Sequence, residues 1–178
     1  MSDTVPVDSL ETVGAERFKS AFRHHAAGVA VVSADTEDGP VALTASSVTS
    51  VSAEPAVILL SASTTTETGR ALATADSAAV HLLDVDDHAL AMRCADPAAD
   101  RFGDTSTWER LPTGEPAFVG PRLVLRGVVC ERLAFGEATL LLLAVTDILD
   151  RRSDGGRRPP LAYVDRSWHA LGPDTAIR

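Results

Sequence analysis

Two long β-rich runs, residues 123–135 and 138–150, meet at Phe135-Gly136-Glu137. A glycine in so short a link makes a tight turn, so the runs are expected to fold back as one long antiparallel hairpin. Shorter β-rich runs precede them at close spacing, over 29–34, 41–46, 48–52, 57–61 and 78–83. Asp38-Gly39-Pro40 supplies the turn between the first two. Helical patterns interrupt the strands. The first spans 9–27, with Leu10, Val13, Phe18, Ala21 and Phe22 on one face, Ser9 as N-cap and Gly28 as the stop. The others cover 68–75 and 85–95, the latter capped by Asp84. This order excludes a regular βαβ alternation. After a loop over 96–116 come the hairpin, a flexible loop over 153–160 with Gly155-Gly156, and closing strands at 161–164 and 168–171. The expected fold is mainly β, a small antiparallel Greek-key barrel with peripheral helices.

A chain of 178 residues fits one domain with a sizeable core. We set it at 15–172, between an N-terminal tail over 1–14 and a C-terminal tail over 173–178. Cys94 and Cys130 fit neither a disulfide framework nor a zinc motif, and we expect both to be buried, inert thiols in a reduced, cytoplasmic setting. Residues 1–10 do not resemble a signal peptide, and no apolar run approaches the roughly 20 residues of a bilayer span, so no membrane association is expected. The net charge of −9 argues against a nucleic-acid partner, as does an aromatic content of 4%. Val, Ile, Leu and Ala must build the core.

The segment Leu43-Thr44-Ala45-Ser46-Ser47-Val48-Thr49-Ser50-Val51-Ser52 carries six hydroxyl side chains and runs into the apolar stretch Pro55-Ala56-Val57-Ile58-Leu59-Leu60. A second cluster, Ser61-Ala62-Ser63-Thr64-Thr65-Thr66, closes that stretch. One short strand is thus bracketed by uncharged donors and acceptors, which suit a polar, uncharged ligand edge. They equally suit the wet face of a strand and a helix N-cap.

From Phe18 to Leu171 the chain resembles the short flavin reductase family, the FMN-binding split-barrel proteins that serve as reductase components of two-component monooxygenases. The segment from Phe18 to Val32, with His24-His25-Ala26-Ala27-Gly28-Val29 at its centre, is similar to the family's opening helix and first strand. The hydroxyl segment matches a Thr-Ala-Asn-Ser-Phe-Thr-Ser-Val-Ser pattern, with Ser46 for Asn and Val48 for Phe. Residues 63–66 resemble the loop that meets the flavin's ribityl and phosphate groups, and Asp100-Arg101-Phe102 resembles an Asp-Arg-Phe signature. The resemblance implies a homodimer that binds FMN or FAD and reduces it with NADH or NADPH, passing reduced flavin to an oxygenase. It implies flavin contacts from Thr44, Ala45, Ser46, Ser47, Ser61, Ser63, Thr64, Thr65, Thr66, Arg101, Phe102, Tyr163 and Trp168, with Arg101 or Arg70 as the cation for the phosphate. The cofactors carry the hydride chemistry, so no strong acid or base is required and no catalytic side chain is assigned.

The family's Gly-Asp-His at the hairpin turn is here Gly136-Glu137-Ala138, without the imidazole. His25, Ala27 and Val164 also stand where the family prefers Phe, Thr and His. A flavin-binding carrier or sensor without efficient turnover is therefore the alternative, and a split barrel holding haem or a deazaflavin is a third. Adjacent His24 and His25 point apart on a helix, so no metal site is expected. His81 reads as structural, His88 as a solvated helix residue, and Trp108 and Trp168 as packing residues. Asp84, Asp86 and Asp87 are accounted for by a helix N-terminus.

Overall fold

The computed structural model describes residues 5–152 and 158–177. The chain runs β1 (Ala27–Gly28), β2 (Ala30–Thr36), β3 (Gly39–Ala45), β4 (Thr49–Ala53) and β5 (Ala56–Ser63) after a short helix α1 (Ala15–Phe22). Helix α2 (Glu67–Thr74), β6 (Ser77–Leu82) and α3 (His88–Ala95) follow. Then come β7 (Trp108–Arg110), β8 (Pro116–Phe118), the paired β9 (Leu123–Phe135) and β10 (Ala138–Asp150), and finally β11 (Leu161–Val164) and β12 (Ser167–Ala170). The main sheet has seven antiparallel strands in the order β3-β2-β6-β9-β10-β5-β4.

That order fixes the shape. Strands β3 and β4 are the two edges of the sheet, yet only residues 46–48 separate them in the chain. Four extended residue steps reach at most about 14 Å. Six strand spacings in a flat sheet would put the edges about 29 Å apart. The sheet must therefore curl until its edges nearly meet, giving a barrel left open at one seam. Ser47 stitches the seam: its hydroxyl donates to the Ser61 carbonyl at 3.1 Å and accepts from the Ser61 amide at 3.2 Å. The long hairpin bends to follow the curl through two register shifts, between Leu142 and Leu143 and between Val145 and Asp147. Gly127 allows the close approach, since a Cβ there would stand 2.8 Å from that of Leu143.

The barrel interior is aliphatic, built from Ala30, Val32 and Ala34 of β2 with Leu60, Val80, Leu141 and Leu143. The other face of β2 sends Val31 into a second cluster with Val29, Leu83 and Phe118, against which Phe102, Trp108, Tyr163 and Trp168 pack. Over Ala30–Ala34 β2 is buried on both faces, and that stretch is apolar but for Ser33. Five aromatic residues, Phe102, Trp108, Phe118, Tyr163 and Trp168, are thus gathered in this second cluster, outside the barrel interior.

Several expectations need correction. The opening helix covers only Ala15–Phe22 with Gly14 at its N-cap, and Ser9 instead closes a one-turn 3-10 segment by donating to the Pro6 carbonyl. Gly28 stops no helix; it pairs with Ala162 in the small sheet β1-β11-β12. The 85–95 helix is a 3-10 turn, Val85–Asp87, leading into α3, and Asp84 and Asp87 cap the turn reciprocally. The region read as a loop over 96–116 holds the ribbon partner β7, whose three residues are too few to display an alternating pattern. Cys130 is exposed, with its thiol donating to the Leu142 carbonyl at 3.3 Å, because β9 runs beyond its cover. Gly155-Gly156 lies outside the described residues. Among the described residues no helix is long and apolar enough to cross a membrane.

Candidate functional site

The seam opens into a cleft of about 420 Å³. One wall is the end of β3 and the crossing segment, contributing Leu43, Thr44, Ala45, Ser46 and Ser47; the opposite wall brings Ser61 and Ser63 from β5. Thr66 and Thr68 at the start of α2 close one end, and Cys94, Ala95, Pro97 and Arg101 close the other side. Residues far apart in the chain and selected for their hydroxyl groups are thus brought together. Thr49, Ser50 and Ser52 are not part of the lining: beyond the seam the chain becomes the edge strand β4, paired with β5.

The hydroxyl groups differ in their freedom. Ser47 is committed to the seam. Thr44 donates to the Ala91 carbonyl at 2.6 Å, which anchors α3 to β3 and leaves its oxygen to accept. Ser63 and Thr65 share a hydrogen bond of 2.8 Å, and Thr66 caps α2 by accepting from the Gly69 amide at 3.1 Å. Thr64 and Thr65 lie in the same turn but off the cleft lining. Thr64 is held by its backbone, its amide donating to Glu137 and its carbonyl accepting from Arg70, so Arg70 serves the loop. Among the described residues, the hydroxyls of Ser46, Ser61 and Thr68 have no intramolecular partner.

Arg101 is aimed by its neighbours. Asp100 accepts from the Phe102 and Gly103 amides at 3.1 and 2.8 Å, fixing a turn. Phe102 goes inward, stacked on Phe118 at 5.4 Å and edge-on to Trp108 at 5.2 Å, and the Trp108 indole donates to its carbonyl. The residue between them is left on the cleft side, where Arg101 donates to the Asp96 carbonyl at 2.6 Å while its buried Nε has no partner. Neither Asp100 nor Asp104 forms an ion pair with it. Burial raises the Cys94 thiol to about 11, against the nearby charges of Arg93 and Arg101, so it enters the cleft as a neutral wall.

Tyr163 and Trp168, packed edge-to-face at 4.8 Å, line an adjoining cavity of about 220 Å³ with Val29, Thr44, Ser46 and Ala95. Phe102, also expected at the site, lines neither cavity and lies in the packing behind the cleft. His81 is fully buried and structural: the Phe118 amide donates to its Nε2 at 3.0 Å, so Nδ1 carries the proton donated to the Val31 carbonyl at 2.9 Å. His88 is exposed and edge-on to Trp168 at 5.2 Å.

Sequence reasoning missed Thr68 and Gly69. A Cβ at Gly69 would fall 2.0 Å from the Ser63 carbonyl oxygen, so only glycine lets α2 start this close to the end of β5. The signal was a glycine inside a helix start, at Thr66-Glu67-Thr68-Gly69.

The donor set fits a ligand with one neutral hydrogen-bonding edge and one anionic end. Free hydroxyls of Ser46 and Ser61 meet the first, and the Arg101 guanidinium and the Thr68 hydroxyl, both lining the cleft, meet the second.

Comparison with known proteins finds a family model and several relatives that span most of the chain. Residues 22–172 match the model of the flavin reductase like domain. An NADH:FMN oxidoreductase from Rhodococcus qingshengii is 36% identical over 156 residues, 88% of this chain and 81% of the relative. The reductase component of a 4-nitrophenol 4-monooxygenase/4-nitrocatechol 2-monooxygenase from Rhodococcus opacus is 26% identical over 165 residues, 92% of this chain and 84% of the relative. The crystal structure of a flavin reductase domain protein from Arthrobacter sp. FB24 superposes with a TM-score of 0.80 at 29% identity, covering 89% of this chain and 96% of that one.

Proposed function

This chain belongs to the flavin reductase like family, and on that premise we propose that it is an NADH-dependent FMN reductase, the reductase component of a two-component monooxygenase, with FMN bound in the seam cleft. The observation that carries the proposal is the pairing, in one cleft, of free hydroxyls at Ser46 and Ser61 with Arg101, whose guanidinium forms no ion pair among the described residues. The bound flavin supplies the hydride-accepting chemistry. The chain's own residues bind and orient it: Ser46, Ser61 and the oxygen of Thr44 face the polar ring edge, while Thr68 and Arg101 face the phosphate. Tyr163 and Trp168 wall the side from which a nicotinamide approaches. Ser47, Ser63 and Thr66 hold the walls in place.

The missing hairpin imidazole bears on turnover. Ala138 is the register partner of Ser63, so a longer side chain there would stand at the cleft's end, and alanine leaves that edge open. Reduction by alignment alone needs no group at that position.

The assembly we propose is a homodimer in the cytoplasm. Leu133 and Phe135 near the hairpin tip, and separately Val51 on the edge strand, are each more than half exposed and are apolar side chains that a second copy would cover. Sedimentation equilibrium reads this directly, and a single-chain mass would refute it.

The binding proposal is tested by titrating FMN, FAD and riboflavin against the wild type and Arg101→Ala. Losing a charged hydrogen bond costs about 1.5 to 3 kcal/mol, so FMN affinity falls by about tenfold or more while riboflavin, which lacks the phosphate, is little affected. Equal weakening of FMN and riboflavin would remove Arg101 from the phosphate end.

A further inference from the structure

A second cavity, of about 380 Å³, joins the cleft through Ser46, which lines both, and shares Tyr163 with the Trp168 cavity. It lies between α1 and the turn joining β11 to β12. Arg23, at the C-terminal end of α1, and Arg166, in that turn, both line it, tied together by the Asp165 amide donating to the Arg23 carbonyl at 2.9 Å.

Two observations single out these arginines. The first is that they are idle. In a chain of net charge −9, nearly every described arginine is engaged. Arg110, Arg126, Arg132, Arg151, Arg152 and Arg158 form ion pairs, Arg70 and Arg101 bind carbonyls, and Arg93 lies over the Phe118 ring. Arg122 also has a partner. Among the described residues only Arg17, Arg23 and Arg166 have guanidinium groups in no such contact, and two of these three line one cavity. Lys19 lines it as well but is drawn to Glu16 at 3.2 Å, and Asp165 is the only acid in the lining.

The second is the backbone. Asp165 and Arg166 form a two-residue hairpin loop with φ of 47° and 61°. Glycine or asparagine adopts that conformation readily and arginine does not. An arginine held in a left-handed turn beside an open cavity is an arrangement folding alone does not require.

Resting on the reductase reading above, we propose that this cavity receives the pyrophosphate of the nicotinamide dinucleotide, with Arg23 and Arg166 as its positioning residues. The nicotinamide half then extends past Tyr163 and Ser46 to the flavin cleft, and the Phe18 and Phe22 rings, stacked at 5.3 Å, offer an apolar face for the adenine. No covalent step is involved.

The test is calorimetric titration of FMN-loaded protein with NAD⁺ and NADP⁺, for the wild type, Arg23→Ala and Arg166→Gly. Glycine suits the turn, so Arg166→Gly holds or raises the thermal midpoint, which separates a binding loss from unfolding. The expected result is about tenfold weaker binding of both dinucleotides by each variant, with FMN affinity unchanged. Wild-type affinity in Arg166→Gly, loss for NADP⁺ alone, or no dinucleotide binding by the wild type overturns the proposal. FMN affinity is measured on the same samples. If FMN does not bind, the flavin reading fails by itself, and NAD⁺ titration of the flavin-free protein still decides the cavity.

Discussion

At the scale of single residues, hydroxyl groups that look alike in the sequence do different work. Ser47 closes the seam, Thr66 caps a helix, and Ser46 and Ser61 keep free hydroxyls in the cleft. No pattern of Ser and Thr could separate these roles, because each depends on which strand arrives opposite. Arg101 was picked out by the likeness of Asp100-Arg101-Phe102 to a family signature, whereas Gly69 was not legible, since its constraint comes from a carbonyl on another element. Gly69→Ala therefore has two opposed effects. Alanine in a helix ordinarily gains about 1 kcal/mol over glycine. Here the added Cβ would sit 2.0 Å from the Ser63 oxygen, a backbone atom that cannot swing aside. Overpacking of this kind costs about 1 to 3 kcal/mol and should win. Urea denaturation is expected to show a net loss of stability, with weaker FMN binding as α2 moves off β5. A stabilised variant would contradict the close approach.

Among elements, the long hairpin was legible to the residue, because a glycine turn between two long β-rich runs has few other solutions. The strand β7 and the end of α1 were not, since three residues carry no period and since no residue of α1 is buried to make its pattern binding. The join between β2, β6 and β8 was also hidden: it runs through His81, which sits in β6 and bridges Val31 of β2 and Phe118 of β8. Burial pulls the His81 ring down to about 4 from an ordinary 6.5, against the Val31 hydrogen bond and with help from the charge of Arg151. The folded chain thus refuses a proton that the unfolded chain accepts. The contribution of this join is complete above pH 6.5 and is lost as pH falls from 6.5 toward about 4. NMR of the imidazole should find a neutral ring with its proton on Nδ1 throughout that window, while thermal stability declines. A ring titrating at 6.5 would mean that the join is open to water.

For the whole molecule, one topological fact organises the rest: two sheet edges joined by three residues force a split barrel, and the split is where the ligand groups converge. The fold class was readable because strand count and turn chemistry are local properties. The site was readable only in part, since a cleft at a seam is made by closure, which no segment contains. The proposed phosphate contacts are compatible with a strongly acidic chain, since cationic side chains line the cavities at Arg101 and around Arg23 while the net charge stays at −9. The central claim is that this seam aligns a flavin for reduction without a hairpin imidazole. The most direct measurement is oxidation of NADH by the purified full chain as a function of added FMN. The account predicts turnover that is absent without flavin and saturates as FMN is raised. NADH consumption no faster than in protein-free solution, at FMN concentrations that fill the cleft, would contradict it.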